Sequence, residues 1–297
     1  MPLLEFCFID THDLREKKVE IKEITSRANA TVMWAASLKE KKYREKHGAF
    51  LAEGVKLVRE AFFARLPITH VFLSEGKREA LLAELSLDSL LQNAKEAPEI
   101  IFLSDACFEK ISTEKAPQGV IAAIKYLDFF KRIGKINSDE ISPRALFLSS
   151  VRDPGNLGAI VRSAAAFGID TIILSADSAD IYHPKVLRAA MGTLFKISVL
   201  TVSDEVEFVR AQRALGRRFF AAELRENAIP LSSLALKESD VFIIGNEGHG
   251  ISTSLSAACD GSVYIPIAKG VESLNASVAA SVLLWEQYKK RGSQSNV

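Results

Sequence analysis

The amino-acid sequence predicts an α/β protein whose main domain is built on a parallel sheet, with a smaller α/β domain before it. The main domain, residues 145–292, alternates apolar strand candidates with helical stretches, which is typical of a parallel sheet covered by helices on both faces. The predicted elements are strands over Ala145–Val151, Thr171–Ser175, Ile197–Val202, Arg218–Glu223, Val241–Gly245 and Ser262–Ile267, and a final helix over Asn275–Arg291.

The smaller domain, residues 24–130, mixes strand and helix patterns over a shorter length. Residues 1–23 form a charged extension before it, and residues 131–144 are polar and contain glycine and proline, which is typical of a linker. The predicted elements of the smaller domain are helices over Ala28–Leu38 and Phe50–Ala64, and strands over Thr69–Leu73, Ile100–Leu103 and Gly119–Ile124.

The charge balance argues against a general nucleic-acid-binding protein. The 38 Lys and Arg residues face 37 Asp and Glu, whereas such proteins usually carry a basic surface. Any RNA contact must therefore come from a local patch, and the best candidate is the basic segment Lys39–Lys46, where Tyr43 offers a stacking surface. The competing interpretation is a solvent-exposed helix face, because Glu40 and Glu45 interrupt the positive charge.

Several classes of protein lack support in the sequence. No apolar run approaches the roughly 20 residues that a membrane-spanning helix needs, and Met1–Asp10 has no basic start like that of a secretory signal. Cys7, Cys107 and Cys259 lie far apart, without the spacing of a zinc site or a disulfide framework. We therefore expect a reduced, cytoplasmic protein without a membrane-spanning segment or a metal.

Glycines and polar residues gather in three loops that follow predicted strands of the main domain. In parallel sheets, ligands bind beyond the carboxyl ends of the strands, so the loops after Val151, Gly245 and Ile267 form the candidate site. The first loop contains Asn156 and leads to Arg162. The simpler interpretations of these two residues are a helix N-cap and a surface ion pair.

The second loop places three glycines around Glu247, and such a turn lets a cofactor lie against the backbone. A carboxylate there would repel a pyrophosphate but would favour a positively charged ligand such as a sulfonium. The third loop contains Ser273 and Asn275, either of which would cap the final helix. The small residues over Ala276–Ser281 indicate close packing of that helix against another backbone.

In this order, the three loops closely resemble the motifs of the SpoU (TrmH-type) RNA ribose methyltransferases of the SPOUT class. The matching segments are N-x-G-x-x-x-R with A-x-x-F-G (Asn156–Gly168), G-N-E-G-x-G-I (Gly245–Ile251), I-P-I (Ile265–Ile267) and S-L-N-A-S-V-A (Ser273–Ala279). The smaller domain looks like the substrate-binding domain of such enzymes, which has a ribosomal-protein-like α/β fold. Its matching segments are Phe50–Gly54 with Lys56, and Ala116–Val120.

The resemblance implies a trefoil knot at the carboxyl end of the main domain, and S-adenosylmethionine as the cofactor. Gly245, Ile265 and Leu274 match positions whose backbone contacts the adenosine part of that cofactor. The resemblance also implies a homodimer with the final helix at its interface, and it requires no metal.

By the same resemblance, Arg162 is the central catalytic residue. A guanidinium stays protonated in proteins, so we expect Arg162 to bind the neighbouring phosphate and to stabilise negative charge on the ribose oxygen. Asn156 and Asn275 are expected to orient the ribose or Arg162. Glu247 is expected to hold Arg162 or to balance charge near the cofactor.

By the same resemblance, the two-part layout is more typical of family members that act on large-subunit ribosomal RNA, which favours ribosomal RNA over tRNA as the substrate. A tRNA 2′-O-methyltransferase of the same family is the alternative. A non-catalytic RNA-binding scaffold would explain the fold, but all four polar site residues are present. A nicotinamide-dependent oxidoreductase would place its glycine-rich turn after the first strand of the sheet. The turn Asp153–Gly158 matches that pattern poorly.

Overall fold

The computed structural model describes residues 21–133 and 141–294, and the chain divides into two compact units between Leu127 and Asp128. The first unit contains a five-stranded sheet with the strand order β1-β4-β3-β5-β2. Its elements are β1 (Ile21–Ile24), α1 (Ala30–Ser37), α2 (Lys41–His47), β2 (Ala49–Glu53), α3 (Val55–Phe63), β3 (Ile68–Ser74), α4 (Arg78–Leu85), α5 (Leu87–Gln92), β4 (Glu99–Leu103), α6 (Asp105–Ile111) and β5 (Val120–Lys125). Strands β1, β4 and β3 are parallel, whereas β5 runs antiparallel to β3 and β2.

The second unit contains an eight-stranded sheet in which every recorded pairing is parallel. The strand order is β11-β13-β10-β12-β7-β8-β9-β6. Its elements are β6 (Phe130–Ile133), β7 (Ala145–Leu148), α7 (Pro154–Ala166), β8 (Thr171–Ser175), α8 (Pro184–Ala190), β9 (Ser198–Val202), α9 (Glu205–Ala214), β10 (Phe219–Ala222), β11 (Ile229–Pro230), β12 (Val241–Ile244), α10 (Thr253–Ala258), β13 (Gly261–Tyr264) and α11 (Ala276–Gln294). All six strand candidates of the main domain overlap a strand, which confirms the predicted parallel-sheet α/β fold.

The helix predicted over Phe50–Ala64 is wrong at its start. Residues Phe50–Glu53 belong to strand β2, and all five residues of that strand are buried. A strand buried on both faces shows no alternation of apolar and polar residues, so periodicity does not distinguish it from a buried helix. Gly54, with φ of 107°, then turns the chain from β2 into α3.

Two predicted segment boundaries also differ from the structure. Ile21–Glu23, assigned to the N-terminal extension, lie in β1, while residues 1–20 lie outside the described residues. Lys131–Ile133, assigned to the linker, lie in β6, which pairs with β9 at one edge of the larger sheet. Edge strands tolerate charged residues because one of their sides faces no other strand, so linker-like composition does not exclude a strand there.

The basic segment Lys39–Lys46 coincides largely with helix α2. Arg44 is 2% exposed, and its Nη1 donates to the carbonyl oxygens of Leu38 at 3.0 Å and Lys39 at 2.7 Å. This arginine therefore stabilises the turn between α1 and α2 and offers no RNA contact. Lys41, Lys42 and Lys46 remain exposed.

Gly158 lets helices α7 and α8 approach closely. A Cβ at this position would lie 2.6 Å from both the Ala189 Cβ and the Val186 carbonyl oxygen. We expect Gly158→Ala to lower the free energy of unfolding of the second unit by about 1–3 kcal/mol, because extra volume in a packed contact forces the helices apart. Chemical denaturation would measure this loss. Gly261→Ala is the control, since its nearest neighbour, a ring carbon of Phe220, lies 3.9 Å away, and equal losses in both variants would contradict the expectation.

Candidate active site

The sheet brings the first two candidate loops together. Strands β7 and β12 are neighbours, with Leu148 opposite Ile244, so the chain leaves both strands at the same edge of the sheet. The third loop follows β13, which is separated from β12 only by β10. The carboxyl ends of three strands therefore lie close together, as the position of ligand sites in parallel sheets predicts.

The N-cap of helix α7 is Asp153 and not Asn156. The Asp153 side chain accepts a hydrogen bond from the Asn156 backbone N–H at 2.7 Å, and its second oxygen contacts Lys185 Nζ at 3.2 Å. The hydrogen bond from the Asn156 backbone, supported by Lys185, lowers the pKa of Asp153 below its ordinary value. Because Asp153 caps the helix, the side chain of Asn156 in the first turn is free for other contacts.

The Asn156 side chain connects all three loops. Its Nδ2 donates to Glu247 Oε1 at 2.7 Å, and its Oδ1 accepts from Asn275 Nδ2 at 3.0 Å. The sequence places these residues 91 and 119 positions apart from Asn156, so only the fold brings them together. Three of the four predicted catalytic residues thus form one hydrogen-bonded group.

Asn275 also caps the final helix, which leaves its amide group directed at Asn156. Its Oδ1 accepts from the backbone N–H of Ser277 at 2.9 Å and from the Ser277 hydroxyl at 2.6 Å. The interpretation of Asn275 as a helix cap is therefore confirmed, and its role as a site residue stays a prediction with Asn156 as its partner. The capping hydrogen bonds fix the Asn275 side chain. Its Nδ2 can then donate to Asn156 Oδ1.

The turn that carries Glu247 is held by Asn246, a residue to which the sequence analysis gave no role. Asn246 Oδ1 accepts from the backbone N–H of Gly248 at 2.8 Å and of His249 at 3.1 Å. Asn246 and Gly250 also exchange two backbone hydrogen bonds, at 3.1 and 2.9 Å. An asparagine beside a glycine-rich turn is the sequence signal for this arrangement, because its side chain readily bonds nearby backbone groups.

Arg162 lies in α7 but outside this hydrogen-bonded group. Its side chain is exposed, and within the described part of the chain no hydrogen bond or ion pair engages its guanidinium. The expectation that Glu247 holds Arg162 is not met in this structure, since Glu247 bonds Asn156 instead. Arg162 follows Asn156 by six residues, which is about 9 Å along a helix axis.

The predicted cofactor positions surround the end of β10. Gly245 directly follows β12, Ile265 directly follows β13, and Leu274 precedes Asn275 in the third loop. Ile265 and Leu274 are both partly exposed, so these loops offer apolar surface beside their backbone groups. That combination suits the adenosine part of S-adenosylmethionine, which needs an apolar wall and backbone hydrogen-bonding groups.

Glu223, at the end of β10, is a site-edge residue that sequence reasoning missed. Its carboxylate accepts hydrogen bonds from the hydroxyls of Ser256 and Ser262, the latter at 2.8 Å, and contacts Arg225 Nε at 2.9 Å. These contacts link α10 and β13 to the end of β10. In the sheet, β10 lies between β12, which Gly245 follows, and β13, which Ile265 follows. The sequence signal that could have indicated Glu223 is its position at the carboxyl end of a predicted strand.

Comparison with known proteins identifies the class. The model of the SpoU rRNA Methylase family matches residues 143–285, and the model of the MRM3-like substrate binding domain matches residues 29–122. A relative from Streptomyces viridochromogenes, named 23S rRNA (uridine(2479)-2′-O)-methyltransferase, is 30% identical over 93% of this chain and 95% of its own. The chain belongs to the SpoU rRNA methylase family, which confirms the family predicted from the loop motifs.

Other relatives agree in sequence and in fold. The 23S rRNA (guanosine(2553)-2′-O)-methyltransferase RlmP of Bacillus subtilis (strain 168) is 29% identical over 89% of this chain and 98% of its own. Among solved structures, the AdoMet-bound rRNA methyltransferase from Sinorhizobium meliloti is 27% identical with a TM-score of 0.76, over 91% of this chain and 98% of that one.

Proposed function

We propose that this protein transfers the methyl group of S-adenosylmethionine to a ribose 2′-hydroxyl of 23S ribosomal RNA. The observation that carries the proposal is the convergence of Asn156, Glu247 and Asn275 in a chain of the SpoU rRNA methylase family. The relatives from Streptomyces viridochromogenes and Bacillus subtilis, both named as 23S rRNA 2′-O-methyltransferases, support the substrate. A tRNA substrate is the alternative.

S-adenosylmethionine supplies the reactive methyl group when it is bound. Arg162 binds the phosphate next to the target ribose and stabilises negative charge as it develops on the 2′-oxygen. Its guanidinium is exposed and unengaged by the described residues, so its N–H donors are available to RNA. The hydroxyl proton leaves to water or to a phosphate oxygen, because a guanidinium does not accept it.

Asn156, Glu247 and Asn275 hold the geometry on which an in-line transfer depends. With one N–H donated to Glu247, the Asn156 amide keeps a second N–H for a ribose oxygen. The Glu247 carboxylate adds negative charge at the place proposed for the positive sulfonium. Backbone groups of Gly245, Ile265 and Leu274 would hold the adenosine part, and we propose that the loops containing them form a trefoil knot.

The first unit would hold the RNA, in keeping with its match to the MRM3-like substrate binding domain. We also propose that the protein is cytoplasmic, where it would meet a ribosomal RNA substrate. Among the described residues, no helix combines the length and the apolar composition needed to cross a bilayer.

The proposal is tested by incubating the protein with radiolabelled S-adenosylmethionine and either 23S ribosomal RNA or total tRNA, and then mapping 2′-O-methylated positions. Label in 23S ribosomal RNA at a ribose is the expected result. Label in tRNA alone would establish the alternative substrate. RNA binding without transfer to either RNA would leave a non-catalytic scaffold and overturn the proposal.

We further propose that the protein is a homodimer that buries an aromatic cluster formed by Phe167, which directly follows α7, and two rings of α11. Phe167 lies 5.8 Å from Trp285 and 5.9 Å from Tyr288 between ring centroids, and the two α11 rings are 50% and 46% exposed. Aromatic side chains exposed together on a helix face are typical of a buried interface core.

We expect Trp285→Glu to weaken dimer formation at least about tenfold, since buried tryptophans dominate interface energies. Sedimentation velocity over a concentration series would measure the change. Leu215→Glu is the control, because Leu215 is 61% exposed at the end of α9. A Trp285→Glu protein that sediments like the unchanged protein would contradict the proposed interface.

A further inference from the structure

The first unit contains a cavity of about 310 Å³ that none of the predicted site residues lines. It lies where the parallel strands β3 and β4 end and where the chain enters β5. Its volume is at the lower end of small-ligand pockets, which suits one nucleotide better than a larger cofactor. The lining residues are Ser74, Gly76, Lys77, Asp105, Phe108, Glu109, Ala116, Pro117 and Gly119.

Two glycines keep this cavity open. A Cβ on Gly76 would lie 2.8 Å from Asp105 Oδ2, and a Cβ on Gly119 would lie 3.0 Å from the Lys77 side chain. Gly119 also has φ of 100°, a conformation that other residues rarely adopt. Side chains at these two positions would crowd the polar groups of the cavity.

The charged groups of the cavity are two carboxylates and one ammonium group. Ser74 Oγ donates to Asp105 Oδ1 at 2.9 Å, while no described residue donates to Oδ2. Glu109 follows Asp105 by four residues in α6 and therefore lies on the same side of the helix. Lys77 Nζ donates to the Pro117 carbonyl oxygen at 2.7 Å, which uses one of its three N–H groups.

We propose that this cavity binds an unpaired guanine base of the RNA substrate, an inference that rests on the proposed RNA methyltransferase function. The Watson–Crick edge of guanine presents two N–H donors, N1 and N2, beside the O6 acceptor. Asp105 and Glu109 accept from the donors, and Lys77 donates to O6. Pro117 and the buried side chain of Phe108 line the cavity and offer apolar contact to the base, as expected for recognition of unstacked RNA bases.

The other bases match the cavity less well. Uracil has a single N–H between two carbonyl oxygens, so one carbonyl would face a carboxylate. Adenine and cytosine each present one amino group beside ring nitrogen or carbonyl acceptors, which leaves the second carboxylate without a donor. A charged acceptor left without its donor costs free energy when a ligand displaces its water, so the cavity selects guanine.

The test uses the full chain labelled with ¹⁵N-glycine, titrated with guanosine, adenosine, uridine and cytidine 5′-monophosphates in separate samples. Guanosine monophosphate is expected to shift the amide signals of Gly76 and Gly119, and the other three nucleotides at least tenfold less strongly at equal concentration. Equal shifts with all four, a preference for another base, or no shift at these glycines would overturn the inference.

Asp105→Asn is the variant, because an asparagine oxygen still accepts from Ser74 Oγ while the charge is lost. It is expected to weaken guanosine monophosphate binding and to raise the KM for 23S ribosomal RNA about tenfold, the effect of one charge-assisted hydrogen bond. S-adenosylmethionine binding should not change. Glu96→Gln, an exposed carboxylate outside the cavity, is the control. If the unchanged protein transfers no methyl group, the proposed function is refuted. The nucleotide titration tests guanine binding in the cavity independently of methyl transfer.

A second observation, independent of this cavity, concerns Ser150 just beyond β7. Its φ of 56° is left-handed, which is unfavourable for a residue with a side chain. The Asp177 carboxylate supports this conformation, because it accepts from Ser150 Oγ at 2.8 and 2.9 Å and from Ser175 Oγ at 2.7 Å. Ser175 Oγ in turn accepts from the Ser150 backbone N–H at 2.7 Å.

The Ser150 carbonyl oxygen accepts from Asn246 Nδ2 at 2.8 Å, and Asn246 holds the turn that carries Glu247. Partial burial acts to raise the pKa of Asp177, but hydrogen bonds from Arg152, Ser175 and Ser150 outweigh it and lower the pKa to about 2. The carboxylate is therefore charged at neutral pH. We infer that Asp177 is a positioning residue that acts through Ser150 on the Glu247 turn.

Asp177→Ala is expected to lower kcat for methyl transfer about tenfold, the factor that corresponds to an unsupported left-handed residue. The double variant Ser150→Gly/Asp177→Ala should recover most of that loss, because glycine adopts the left-handed conformation freely. Failure of the glycine to restore activity in a variant that remains folded by circular dichroism would refute the positioning role. Unchanged kcat in Asp177→Ala would refute it as well.

Discussion

Arg162→Ala is expected to reduce methyl transfer to 23S ribosomal RNA by about 100- to 1000-fold, the usual cost of removing one donor that stabilises developing negative charge. The binding of S-adenosylmethionine should stay within twofold of the unchanged protein. The reason is positional, since Arg162 lies outside the hydrogen-bonded group of Asn156, Glu247 and Asn275 and, among the described residues, forms no hydrogen bond or ion pair with the loops proposed for the cofactor.

Single-turnover transfer and isothermal titration with S-adenosylmethionine would measure the two effects separately. Arg162→Lys keeps the charge but loses the planar pair of donors, so a smaller loss is expected. Arg210→Ala is the matched control, because it removes an exposed arginine from helix α9 of the same unit. Full activity in Arg162→Ala would remove this residue from the mechanism.

Gly245→Ala is expected to weaken S-adenosylmethionine binding between about tenfold and a hundredfold. A Cβ at this position would lie 2.5 Å from the Gly250 carbonyl carbon and 2.7 Å from its oxygen. Both atoms are backbone, so the turn between Asn246 and Gly250 must open to make room. Crowding of this kind typically costs 1–3 kcal/mol, and each 1.4 kcal/mol is a factor of ten in affinity.

The control for this prediction lies in the same turn. At Gly248 the nearest atom to an added Cβ, Asn246 Oδ1, is 3.4 Å away, which is ordinary contact. Gly248→Ala should therefore bind S-adenosylmethionine nearly as well as the unchanged protein. If both variants bind equally, the close approach at Gly245 does not shape the cofactor site.

Much of the fold and the family could be predicted from the chain alone. Apolar runs such as Thr171–Ser175 and Val241–Ile244 are strands buried on both faces, and such strands are recognisable when helices separate them. The motif residues Asn156, Glu247 and Asn275 could be predicted as site residues because their order and local spacing resemble the motifs of the SpoU family. Local patterns determine these features, since each depends on neighbouring residues.

Local patterns failed where tertiary context decides the outcome. Strand β2 is buried throughout, so its residues carry no alternation that would separate them from helix α3. The N-cap of α7 is Asp153, although Asn156 is an equally good capping residue by type. The position at which the chain turns after β7 decides which of these two residues caps the helix. The packing of β7 in the sheet determines that position.

The sequence by itself determined the family, the parallel α/β class and the residue types at the site. Only the tertiary structure decided the partners: Glu247 bonds Asn156 and not Arg162, Asn275 caps α11 while holding Asn156, and Asp177 supports Ser150. The physical reason is distance along the chain. Hydrogen bonds between residues dozens of positions apart depend on the packing of strands and helices, and no local spacing in the sequence encodes that packing.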